Sequence, residues 1–245
     1  MKAALNTKEK KKTPAQERGE RISRSLDLAE MQGAKPPNPA SVSSALKGIH
    51  HVLVGGLAIV VHTKKPRATQ DVDVVVSDVR LAEAAIAKAF ANLRKLKNPG
   101  EDVTRYAAKD GTEVINLLHP VGHFKVALEH TLTTKIGKIT VLVNTFEASL
   151  VSKFMSMKSP HRSRGGRVRD EGDLIAMIES KPDAKGAINW ETITGILREH
   201  PLEPAVLDLY EHDLRVFVQE VRSDHLKRMK SIKKIWASGK TILSL

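Results

Sequence analysis

The sequence predicts an α/β (α+β) chain, with a small mixed β-sheet core flanked by helices and a helical C-terminal region. Two observations carry this. Short β-branched runs bounded by glycine, proline or aspartate alternate with helical patterns over 41–145, and apolar residues recur at steps of three and four from 146 onward.

Residues 1–40 combine Lys and Arg with Gln, Ser and the Pro36–Pro39 cluster, and are expected to form a basic, flexible tail; a short amphipathic helix could form over 22–31. The segment 41–49 reads as a short helix, and the β-branched run 51–54 as a buried strand. Gly55-Gly56 breaks that strand, 57–65 is compatible with a helix, and Pro66 ends it. The run 71–77 is a second strand. A helix over 78–96 follows, with Asp78 placed to cap it. After a turn at 98–102, two strands flank Asp110-Gly111, a strong hairpin signal, and 138–145 supplies one more strand. Helices are expected over 146–159 and 169–180, over 189–200 with Asn189 as cap, and from Pro204 onward. In the last of these, Leu207, Tyr210, Leu214, Phe217 and Val221 form one stripe.

Composition narrows the function. Forty Lys and Arg against 28 Asp and Glu leave a net charge of +12, which favours partners that carry phosphate. The basic residues concentrate at 8–12, 161–169 and 222–234. There is no cysteine, so disulfides and thiolate zinc sites are excluded, and a cytoplasmic location fits. No apolar run approaches the length of a membrane span and the N-terminus has no apolar signal core, so no membrane partner is expected.

The chemistry concentrates in 52–76. A strand runs into Gly55-Gly56 and a helix begins there; helix N-termini hold phosphate through unpaired N–H groups and the positive end of the dipole. Arg67, Thr69, Asp71 and Asp73 are spaced by two, and in extended chain such residues share a face. Two adjacent carboxylates among valines repel each other unless a cation lies between them. Mg²⁺ suits that position, taking one or two carboxylates and completing its shell with water and substrate phosphates. Arg67 would add charge for phosphate, and Thr69 a hydroxyl for the turn or the nucleotide. The plainer alternative is a strand edge exposing two solvated aspartates.

The stretch LVGGLAIVVHTKKPRATQDVDVVV resembles the GG/GS…R-x-T-x-D-x-D signature of the DNA-polymerase-beta-like nucleotidyltransferase superfamily, and looks closest to its abortive-infection (AbiEii-like) toxin branch. The resemblance implies that Gly55 and Gly56 hold an NTP triphosphate, and that Asp71 and Asp73 bind Mg²⁺ or Mn²⁺. A looser resemblance over 146–178 implies that Lys153 faces the nucleotide and that Asp170 and Asp173 lie near the pocket. The plainer alternative makes Lys153 a solvated side chain and Asp170 a helix cap, and for Asp173 the structural role is favoured. Where the family supplies a third carboxylate this chain has Asn116, which can offer a carbonyl oxygen but no base. Glu113 is near, but its odd separation turns it to the other face of a regular strand unless a bulge intervenes.

The expectation is a Mg-dependent nucleotidyltransferase moving an NMP from an NTP to an acceptor. That acceptor could be RNA or tRNA, and the chain could be the toxin of a pair with an antitoxin protein. The alternative is a catalytically weakened member of the fold that binds nucleotide or nucleic acid.

Overall fold

The computed structural model describes residues 12–63, 67–96, 102–181 and 188–237. The basic residues 8–11, Pro66 and most of the turn at 98–102 lie outside these, as do the side chains of 231–234 in the last basic segment.

The first departure from expectation is at the N-terminus. Instead of a tail, Pro14–Met31 is an 18-residue helix, α1, begun by a capping box between Thr13 and Gln16 with Pro14 in the first turn. Gly19, Ile22, Ser25 and Ala29 are buried. Gly19 sits hard against the backbone carbonyl of Lys135, where no Cβ would fit. A second helix, α2, spans Pro39–Ala45, capped by Asn38.

The centre follows the expected order. Strand β1 (His51–Leu53) leads into α3 (Gly55–His62), β2 (Val72–Val76) and α4 (Val79–Ala89), which Asp78 caps through the amide of Leu81. Next come β3 (Arg94–Lys95), β4 (Val103–Ala107) and β5 (Glu113–Leu118). The β4–β5 hairpin turns at Gly111, whose φ of 89° suits glycine. A short α5 (His123–Ala127) precedes a hairpin of β6 (Thr131–Ile136) and β7 (Ile139–Asn144). Sequence reading found β7 but not β6, β3 or α5, and the helix expected over 78–96 ends at Ala89, with β3 in its last turn's place.

The seven strands form one mixed sheet in the order β3-β4-β5-β2-β1-β7-β6. β1 is antiparallel to β2, which is parallel to β5; β1 is also parallel to β7. The central strand β2 is hydrophobic at every position but Asp73, as befits a strand covered on both faces.

The helical region comprises α6 (Phe146–Lys158), α7 (Arg164–Ser180), α8 (Trp190–Arg198) and α9 (Pro204–Ala237). Asn189 caps α8 as expected. Along α9, Leu207, Leu214 and Val221 are buried together with Val218, while Tyr210 and Phe217 pack at the edge of that cluster. Helix α3 joins the two halves of the core. Its Leu57, Val60 and Val61 pack with the sheet, α1 and α2, whereas Ile59 faces the cluster of α6 to α9. Among the described residues no helix is long and apolar enough to cross a membrane.

Candidate nucleotide and metal site

The parallel pairing of β2 and β5 builds the site. It sets Asp73 opposite Asn116, so the two side chains share a face, and the i, i+2 step adds Asp71. The Nδ2 of Asn116 donates to Asp73 Oδ1 at 2.9 Å and to Asp71 Oδ2 at 3.2 Å. Asn116 is buried, and its Oδ1 has no hydrogen-bond partner. The amide therefore turns its donor toward two negative groups and leaves its oxygen unsatisfied. Asn116 thus lies beside both carboxylates.

Gly55 follows directly, because Val54 N–H donates to the Asp73 carbonyl at 3.0 Å and brings the start of α3 against the aspartate. Gly55 has φ of 60°, and a Cβ there would collide with the Asp73 carboxylate. A Cβ on Gly56 would collide with the Arg67 guanidinium and lie 3.0 Å from Thr69 Oγ1. The glycine pair is needed because the site's own side chains approach the backbone so closely. Val54, in the cap position of α3, supplies no side-chain acceptor for the helix's first N–H groups.

An open cleft of about 330 Å³ lies over these residues. Gly55, Gly56, Arg67, Asp71, Asp73, Asn116 and Lys153 all line it. Two sequence expectations need correction. Thr69 is 3% exposed and does not line the cleft; its Oγ1 accepts from Ser25 Oγ at 3.2 Å, so it serves the turn and not a ligand. Asp170 is fully buried in the second turn of α7, a helix capped by Ser163, so it is neither a cap nor a cleft residue. Asp173 has the structural role the sequence favoured, buried beside the cleft, and its ion pairs join both halves of the site.

These two buried acids anchor the cleft's cations. Asp170 holds Lys153 Nζ at 2.8 Å and takes two hydrogen bonds from Arg162, at 2.7 and 3.0 Å. Asp173 holds Lys153 Nζ at 3.0 Å and Arg67 Nε at 2.9 Å. Lys153 and Arg67 are thereby fixed in place on the cleft wall, tied through Asp173. Sequence reading gave no reason to couple residue 67 to residue 173. Arg67 is also fastened from behind, since Ser25 Oγ donates to its backbone carbonyl. Arg105, Glu113 and Arg169 complete the charged lining.

The electrostatics favour a cation beside the aspartates. Burial first, and then the neighbouring Asp71, push the Asp73 carboxyl up from 3.8 to about 7, against the opposing pull of Asn116, Lys153 and Arg67. Among the described residues no group of three or more histidines and acids could hold a metal unaided. Two carboxylates do suit Mg²⁺ or Mn²⁺ arriving with phosphate oxygens, which fill the rest of the shell. The unsatisfied Asn116 Oδ1 marks a polar atom that lacks a partner at this point.

No protein-family model matches the sequence, and no curated protein matches it. Among solved structures the chain is similar to an antigenic nucleotidyltransferase-like protein from Paracoccidioides brasiliensis, at 22% identity and a TM-score of 0.43, over 74% of this chain and 91% of that one. It is also similar to JHP933 from Helicobacter pylori, at 14% identity and a TM-score of 0.42, over 82% of this chain and 100% of that one. At such TM-scores these likenesses say nothing about the chemistry of the cleft.

Proposed function

We propose that the cleft binds an NTP with Mg²⁺ or Mn²⁺ and transfers its NMP to an acceptor, as a nucleotidyltransferase of the polymerase-beta-like kind. The observation that carries this reading is the meeting of Asp71 and Asp73 with the uncapped start of α3 in one cation-walled cleft. The aspartates would hold the metal, which neutralises phosphate charge when bound. Gly55 and Gly56 let the Asp73 carboxylate and the Arg67 guanidinium lie against the start of α3, where the triphosphate would be held between metal, cation and helix N-terminus. Arg67 and Lys153, held by Asp173, would draw its phosphates to that end of the cleft.

For the acceptor we favour RNA, tRNA included. Arg162 and Arg169 line the cleft, and Arg164 and Arg167 stand exposed beside them at the start of α7. A toxin held in check by an antitoxin over the cleft is one setting for such an activity, in the cytoplasm. A second reading has its own support. Asn116 gives both aspartates a hydrogen bond where a third acid would add negative charge, which suits nucleotide binding with little or no transfer. Incubation with each α-³²P-labelled NTP, Mg²⁺ or Mn²⁺, and total RNA or cell protein tests the two. Label moving to RNA is the expected result. Tight Mg-NTP binding without transfer to any acceptor would favour the second reading.

A further inference from the structure

Attack on a phosphate by an acceptor hydroxyl needs a group to take the hydroxyl's proton. The carboxylates lining the cleft are Asp71, Asp73 and Glu113. Asp71 and Asp73 are both engaged by Asn116 Nδ2, and Asn116 itself offers no base. That leaves Glu113, which a regular strand would turn away from Asn116.

The strand is not regular at that point. In the β4–β5 ladder Tyr106 pairs with Ile115, but the next residue, Ala107, pairs with Glu113. One step on β4 answers two on β5, so Val114 is an extra residue, and such a bulge re-aims the side chains beyond it. Val114 and Ile115 are both buried, whereas Glu113 joins Asn116 in lining the cleft. Its side chain is 45% exposed, at the solvent side where an acceptor would enter. Arg105, paired across the ladder with Asn116, places Nε 3.5 Å from Glu113 Oε2 and steadies the carboxylate.

We infer that Glu113, carried into the cleft by the bulge at Val114, is the catalytic base of nucleotidyl transfer. This rests on the transfer reading given above. As the acceptor oxygen attacks the α-phosphorus, its proton passes to the Glu113 carboxylate and a new P–O ester bond forms. The bond from the α-phosphorus to the oxygen bridging to the β-phosphate breaks, and pyrophosphate leaves with that electron pair. Glu113 then returns the proton to water.

The test uses the full-length protein, α-³²P-labelled NTPs and total RNA, with water as the default acceptor. Glu113→Gln keeps size and shape, and the residue's exposure predicts an unchanged melting temperature. Mg-NTP affinity should stay within about twofold, while single-turnover transfer falls by about a hundred- to ten-thousand-fold. Transfer regained on adding Asn116→Asp to Glu113→Gln would mark the lost group as a carboxylate. An active wild type with an equally fast Glu113→Gln overturns the assignment, and so does a loss confined to nucleotide affinity, which would make Glu113 a partner of Arg105 only. A wild type that binds Mg-NTP and transfers nothing, even to water, instead removes the transfer reading and the base with it.

Discussion

Replacing Asp73 by Asn should make the metal-free protein more stable above neutral pH and, on the proposed function, should abolish stabilisation by added Mg²⁺. The Asp73 carboxyl is carried from 3.8 to about 7 by burial and by Asp71. A native state that binds a proton more tightly than the unfolded chain loses stability as pH rises from the unfolded value through the folded one. Each tenfold change in proton affinity is worth about 1.4 kcal/mol, so the ionised native state is penalised by up to about 4 kcal/mol. Somewhat more than half of this, about 2 kcal/mol, falls between pH 5 and pH 8, where the unfolded carboxyl is already ionised and the folded one gives up its proton. Asn keeps the shape that fits beside Gly55, and its oxygen still accepts from Asn116. Urea denaturation in EDTA at pH 5 and pH 8 measures the effect. The wild type should lose about 2 kcal/mol between these values at this site, and Asp73→Asn should lose correspondingly less. Added Mg²⁺ at ten times its dissociation constant should return about 1.4 kcal/mol to the wild type alone. An Asp73→Asn protein that unfolds, or that shows the wild-type pH profile, would refute the reasoning.

Three further expectations follow from the same contacts. Gly55→Val meets both the Asp73 carboxylate and a φ of 60°, so it should cost at least about 2 kcal/mol in a denaturant melt and abolish Mg-NTP binding. If RNA is the acceptor, neutralising Arg164, Arg167 and Arg169 should make the slope of log affinity against log salt shallower by up to about three; Arg162 is left intact because it neutralises the buried Asp170, and an unchanged slope counts against this surface. His62, half-buried edge-on to Phe146 with Nε2 on the Asn144 carbonyl, is lowered to about 4, chiefly by desolvation, so stability should fall as pH drops from 6.5 towards 4 by up to about 3 kcal/mol. His62→Gln with the same acid sensitivity would remove that cause.

The legible parts of the chain are those where local chemistry and tertiary demand agree. Gly55-Gly56, the Asp78 and Asn189 caps and the Asp110-Gly111 turn each act within a few residues, and each stands where the pattern puts it. Asn116 could be placed because a strand's period of two carries it to the face of Asp71 and Asp73. What was missed depends on distant partners. Helix α1 buries glycine, serine and alanine around one isoleucine, so its docked face looks polar in sequence; the short helix allowed over 22–31 covers its second half, and the Thr13–Gln16 capping box was an unused signal for its start. Strand β6 is rich in threonine and lacks a continuous apolar run, although the Gly137 turn before β7 was a usable signal. The bulge at Val114 and the Arg67–Asp173 link leave no local trace, because each is fixed by a neighbour far along the chain.

The docking of α1 also bears on when the cleft takes shape during synthesis. Arg18 donates to the Thr133 carbonyl, Gly19 nests on Lys135, and Ser25 secures the turn that carries Arg67. Helix α1 therefore has part of its seat on β6, a strand made more than a hundred residues later. Asp173, the counter-ion of Arg67, is made later still. A nascent chain holding only α1 to β5 has its two aspartates side by side but lacks Asp173, so the Arg67–Asp173 pair waits for the chain to pass α7. On the proposed function, ribosome-stalled chains with residue 180 outside the exit tunnel should take up Mg-NTP, and those with it still inside should not.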